Sequence, residues 1–254
     1  MIRVSGHFGE WLQGRLDGRV VLVSMACDAL AVRAEGDARL FPEDVLARFC
    51  AGLGLAGEVP GVVADMPPGG GAGVSTASLV AVARAMGFDG APEVLARACL
   101  AVEGACDPLM FEGADRLLWA SRAAEVVERM APPPACEVVG GFWGAPTRTD
   151  ARDDDFPEVS DLVSAWRQAV EAADLARAAA VASESAARCT ALRGPGDDMA
   201  ELARALGALG VVRAHTGSAR GLIFAPGDVP ERAEDVLREA GLTGVLRFRT
   251  GGGA

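Results

Sequence analysis

DMPPGGGAGVSTASLVAVARA, residues 65–85, sets two prolines and four glycines directly ahead of a hydroxyl pair and an alanine-rich apolar run. The run predicts a helix over 75–87. Gly69, Gly70, Gly71 and Gly73 leave the backbone bare where the chain turns into the positive end of that helix, an arrangement suited to cradling phosphate. Ser75 and Thr76, at the helix start, suit either helix capping or the magnesium that accompanies a nucleotide. A plain glycine-rich connection capped by Ser75 is the alternative.

Two familiar phosphate loops do not fit. The Walker pattern needs a lysine, and the chain contains none, all 24 of its basic residues being arginine. The same absence excludes a lysine Schiff base or lysine general base. The dinucleotide pattern places a glycine where Val74 stands, and it asks for an acidic ribose ligand at a strand end about twenty residues on. The nearest acid, Glu93, falls inside a predicted helix.

Working outward, the first 35 residues read as antiparallel strands joined by a turn at Asp17-Gly18. A helix over 42–54, a strand over 58–64 and a helix over 92–105 flank the glycine stretch, the last with Pro92 in its first turn. Short strands follow at 117–121, 124–129 and 136–143, interrupted by a triple proline at 132–134 that predicts a hinge. Two helices within 156–192, a third over 197–209, strands at 211–214 and 220–225, a helix over 229–240 and a strand at 245–249 complete an α+β pattern. The expected division is an N-terminal half, 1–135, and a C-terminal half, 136–254.

The composition narrows the partners. Half of the 254 residues are apolar, enough for a sizeable core, and the net charge of -11 argues against nucleic acid or an anionic membrane as partner. Neither a signal-like N-terminus nor a membrane-length apolar window is present, so a cytoplasmic protein is expected. The six cysteines are scattered without a C-x-x-C pair and predict reduced, buried thiols. The acidic run at 150–156 reads as a solvated loop or helix-start charge set, since it lacks the calcium-loop glycine and glutamate.

Four stretches taken together, GHFGEWLQG (6–14), PPGGGAGVSTAS (67–78), VEGACDPLMF (102–111) and AHTGSARGLIF (214–224), resemble the GHMP kinases in order and spacing. Among these they are most similar to the L-threonine kinases of cobalamin biosynthesis and propanediol utilisation. The resemblance implies a two-domain fold with a ribosomal-protein-S5-like N-terminal half and a ferredoxin-like C-terminal half. It also implies ATP and Mg2+ as cofactors, and phosphorylation of the L-threonine hydroxyl for the cobalamin aminopropanol linker. Homoserine or serine as acceptor, or a catalytically silent binding module, are the competing readings. Two departures stand out: Val74 occupies the place of a first serine, leaving Ser75 alone in the phosphate or magnesium role, and the Glu103–Asp107 element is one residue longer than in those kinases.

The resemblance implies that the nucleotide is held by Pro68, Gly69, Gly70, Gly71, Ala72, Gly73, Val74, Ser75 and Thr76. Magnesium falls to Ser75 and Glu103, with Asp107 acting on the substrate hydroxyl. Glu10, in an otherwise apolar strand, needs a cationic partner if buried, and the ammonium group of an amino acid would supply it, with Gln13 alongside. His215, Thr216, Gly217 and Ser218, a polar loop between two strongly β segments, are expected to touch transferred phosphate or substrate carboxylate, a plain hairpin turn being the alternative. His7 and Arg220 are marginal candidates for the same pocket.

Overall fold

The computed structural model describes residues 1–147, 150 and 152–252. Strands β1 (Arg3–Leu16) and β2 (Arg19–Arg33) form the expected hairpin. Asp17 and Gly18 both take positive φ, 50° and 77°, the two-residue turn that matches strand twist. Helix α1 (Glu43–Gly52) follows, then β3, reduced to Val63–Ala64, α2 (Val74–Ala85) and α3 (Pro92–Glu103). The predicted strand over 58–64 fails over 58–62, where Pro60 and Gly61 break the ladder. The chain continues through β4 (Leu117–Ala120), β5 (Glu125–Arg129), β6 (Cys136–Phe142), α4 (Ser160–Glu171), α5 (Leu175–Arg193), α6 (Met199–Leu206), β7 (Gly210–Arg213), β8 (Ala219–Phe224), α7 (Ala233–Glu239) and β9 (Thr243–Thr250).

Among the described residues, the nine strands join one sheet in the order β5-β4-β2-β1-β7-β8-β6-β9, with β3 attached to β2, and every named pairing is antiparallel. The proposed boundary at 136 opens β6, yet Glu10 of β1 pairs with Arg213 of β7, so a single sheet runs through both halves. The triple proline is not an exposed hinge. Pro133 and Pro134 are buried, and Pro133 O accepts the Gly252 amide at 2.8 Å.

Strand alternation sorts the apolar residues into two cores. Val138 and Ile223, paired across β6 and β8, face a main core that includes Phe8, Trp11 and Trp166. Their neighbours Val139 and Leu222 face a smaller one with Met199 and Leu206 of α6 and Leu237 of α7. Both faces of the central strands are therefore covered, which explains the near-continuous apolar runs in the sequence. All six cysteines are buried and unbridged. Among the described residues, no helix is long and apolar enough to cross a membrane.

Candidate active site

The glycine stretch lies between β1 and the turn joining β7 to β8. Gly69, Gly71 and Gly73 take φ of 77°, 76° and 75°, so the loop folds back on itself before α2 begins. Three of its carbonyls are bonded to neighbouring segments: Gly71 O accepts Gly9 N, Ala72 O accepts His7 N, and Gly70 O accepts both Ser218 N and Ala219 N. Gly70 N donates to Pro67 O at 3.1 Å, but the later amides are left open. From Gly71 to Thr76 none meets a backbone acceptor among the described residues, and the first bonded amide of the helix is Ala77, to Gly73 O. Gly73 is the N-cap and no side chain caps it, so Ser75 is not a capping residue.

Both hydroxyls of the helix start turn instead to one carboxylate. Ser75 Oγ donates to Glu103 Oε1, and Thr76 Oγ1 donates to Glu103 Oε2 at 2.9 Å. Glu103 ends α3, where Gly104 in the left-handed region closes the helix and turns the chain. Thr76 Oγ1 then accepts the Asp107 amide at 3.2 Å, which fixes the loop that follows. Burial pushes the Glu103 carboxyl up to about 8, against the pull of the Ser75 hydroxyl and with Asp107 adding to the rise.

Asp107 has a buried histidine beside it. His7 Nε2 lies 3.3 Å from Asp107 Oδ2, and His7 Nδ1 lies 3.2 Å from Gly9 O. Burial alone would lower the imidazole pKa, but the Asp107 carboxylate, helped by Glu10, holds it up at about 9. Simple alternation would put His7 and Glu10 on opposite faces of β1. Register shifts on both sides and Gly9 at φ 65° break the alternation, and both residues border the same cleft. A side chain at Gly9 would stand 2.7 Å from the Arg213 carbonyl carbon, so only glycine permits this crossing.

The cleft has a volume of about 370 Å³. It brings together Pro68, Gly69, Gly71, Ala72, Gly73, Val74, Ser75 and Thr76 with Glu103, Asp107, Glu10, Gln13 and Thr216. Gly70, His215, Gly217 and Ser218 do not line it. Of loop 215–218 only Thr216 lines the cleft; the His215 side chain and the Ser218 main chain are bonded internally. His215 is buried with Nδ1 3.2 Å and its amide 3.0 Å from Glu10 Oε2, and its Nε2 lies 2.9 Å from Ser185 Oγ. Glu10 thus has an internal partner that the sequence reading did not name. Arg220 also turns away from the cleft, to Asp197 at 2.8 Å.

Sequence reasoning missed Leu40, Phe41 and Pro42, an apolar wall just before α1, and Ser121 and Arg122 at the end of β4, all of which border the cleft. Nothing distinguishes one arginine by type in a chain whose every base is arginine. Among the described residues, no three His, Cys, Asp or Glu side chains converge as a metal site. A magnesium ion held by one carboxylate, a hydroxyl and nucleotide phosphates requires no such cluster.

No protein-family model matches the sequence, and no curated protein is significantly similar to it. Solved structures do match. A phosphomevalonate kinase of Streptococcus pneumoniae superposes with a TM-score of 0.65 at 11% identity, over 98% of this chain and 98% of that one. A homoserine kinase of Cytophaga hutchinsonii gives 0.57 at 15% identity, over 98% and 94%. The chain has the fold of these small-molecule kinases. A third neighbour, described as MDDEF in complex with MVAPP, AMPPCP and magnesium, gives 0.57 at 12% identity, over 99% and 98%. That protein binds a nucleotide analogue with magnesium on the same scaffold.

Proposed function

We propose that this chain is a cytoplasmic kinase that transfers the terminal phosphoryl group of ATP to the hydroxyl of a small molecule, with L-threonine as the acceptor. The observation that supports this most is the row of open amides from Gly71 to Thr76 at the start of α2, beside two carboxylates in one cleft. Amides so placed cradle phosphate without any ammonium side chain. Leu40, Phe41 and Pro42 offer an apolar wall to the base of the nucleotide.

The residues fit magnesium as well: Ser75 and Glu103 are hard oxygen donors already in contact with each other beside the phosphate cradle. When bound, the metal supplies charge neutralisation on the phosphates. Asp107 aligns the substrate hydroxyl and takes up its proton, while the imidazolium of His7 holds the carboxylate in place. Glu10, Gln13 and Thr216 face the acceptor, with Glu10 braced by His215, and Gly217 and Ser218 lie behind them, where the Ser218 amide holds Gly70 O.

L-threonine is chosen on the four sequence stretches that resemble the threonine kinases, which places the product in the route to the cobalamin aminopropanol linker. The homoserine kinase among the structural neighbours makes homoserine the second reading. The two differ in chain length by one carbon between hydroxyl and carboxylate, a difference a pocket discriminates by about 1–3 kcal/mol. Incubation of the purified protein with ATP, magnesium and L-threonine, L-homoserine or L-serine, followed by phosphorus NMR, tests the proposal. O-phosphothreonine as the main product is expected. Phosphorylation of homoserine instead moves the assignment to that acceptor, and no phosphoester at all leaves a nucleotide-binding module.

A further inference from the structure

Arg122 is the only permanently charged cation bordering the cleft among the described residues. It follows β4, whose pairing with β2 sets Trp119 opposite Leu22, another cleft residue. Ser121 O accepts the amide of Cys106 at 3.0 Å, so Arg122 and Asp107 each follow one member of a bonded pair, and both border the cleft.

The guanidinium is held firmly, but not by an anion. Nη1 donates to Ser121 Oγ at 3.0 Å and Nη2 to Asp153 O at 3.1 Å, and the group lies over the Phe156 ring at 5.3 Å. The Asp153 carboxylate is taken by Arg193, which lies against the same ring at 4.6 Å. Among the described residues no carboxylate forms an ion pair with Arg122, and its buried Nε has no partner. The acidic run 150–156 is therefore not merely a solvated loop: its buried Phe156 and the Asp153 carbonyl fix this arginine at the cleft.

A half-buried guanidinium that Asp153, Asp107 and Asp150 influence only through space, none pairing with it directly, costs free energy that a bound anion offsets. The phosphates have the open amides and, in the proposed enzyme, magnesium. The anion left to place is one on the acceptor, beside the hydroxyl that Asp107 aligns. We infer that Arg122 binds the carboxylate of the acceptor, so that the substrate is a small acid whose carboxylate lies within a few bonds of its hydroxyl. This rests on the kinase reading for the place of the hydroxyl, but it is tested by binding alone.

Calorimetric titration of the full chain, loaded with magnesium and a non-hydrolysable ATP analogue, with L-threonine and with threoninol separates the two questions. The intact protein should bind L-threonine at least about tenfold more tightly than threoninol. Arg122→Gln should weaken L-threonine about 10- to 100-fold, as expected for a lost charged hydrogen bond, and leave threoninol and the nucleotide analogue unchanged. Arg122→Lys should restore part of the preference. Equal binding of acid and alcohol by the intact protein, binding of neither, or an R122Q effect on the nucleotide would overturn the assignment. A protein that binds threonine through Arg122 yet makes no phosphoester would sink the kinase reading and leave this one standing.

Discussion

Loop 69–73 and loop 215–218 both mix glycine with nearby hydroxyl residues, and they touch, a Cβ at Gly217 falling 2.5 Å from Gly71 N. They handle their polar groups in opposite ways. The first bonds carbonyls to β1 and to the second loop and leaves its amides from Gly71 onward without a backbone acceptor among the described residues. The second commits its amides at 218 and 219 to Gly70 O and its histidine to Glu10 and Ser185. One loop is open to a ligand and the other holds it in shape. Composition identifies both as polar and flexible; only the partner of each donor tells them apart.

The largest effect should come from the open side. Asp107→Asn should lower kcat by about 10²- to 10⁴-fold, with the circular dichroism spectrum unchanged. A loss of less than tenfold would remove Asp107 from the chemistry. Next comes the contact between the loops. A Cβ at Gly71 would stand 2.2 Å from Ala214 Cβ and 2.7 Å from Thr216 O, at a φ of 76°. Gly71→Ala should therefore cost at least about 2 kcal/mol in denaturant unfolding. Wild-type stability in that variant would mean the loops do not pack as described.

The pH dependence of stability comes third. The His7 pKa is raised from 6.5 to about 9, so the folded chain holds this proton more tightly than the unfolded one. Its contribution is fully present below about pH 6.5 and fades as pH rises through about 9. Melting temperatures measured from pH 6 to 10 should fall along that range, and His7→Gln should flatten the part due to this group. A fall of the same depth in His7→Gln would assign the dependence elsewhere. Smallest of all, Ser218→Ala should change stability by no more than about 0.5 kcal/mol and leave KM for acceptor and nucleotide untouched, since Ser218 acts through its amide. A raised KM would return that hydroxyl to the cleft.

Much of this was legible beforehand. The hairpin 3–33 announced itself through its apolar runs and Asp17-Gly18, and the helix after the glycines through its period. Glu103 and Asp107 were placed by motif resemblance, and the structure brings both to the helix start. His7 was underrated because its alliance with Glu10 depends on a bulge at Gly9, and alternation predicts the opposite. Composition does not show that the His215 donors of loop 215–218 are used by distant residues, Glu10 and Ser185. Arg122 gave no signal, since its significance lies in a missing counter-ion, a property of packing rather than of residue type.

The central claim is that main-chain amides from Gly71 to Thr76 hold the phosphates of a nucleotide. A crystal structure of the protein with magnesium and a non-hydrolysable ATP analogue tests it most directly. The account predicts phosphate oxygens within about 3.2 Å of several of these amides, with Ser75 and Glu103 at the metal. Phosphates bound elsewhere, with those amides facing water, would contradict it.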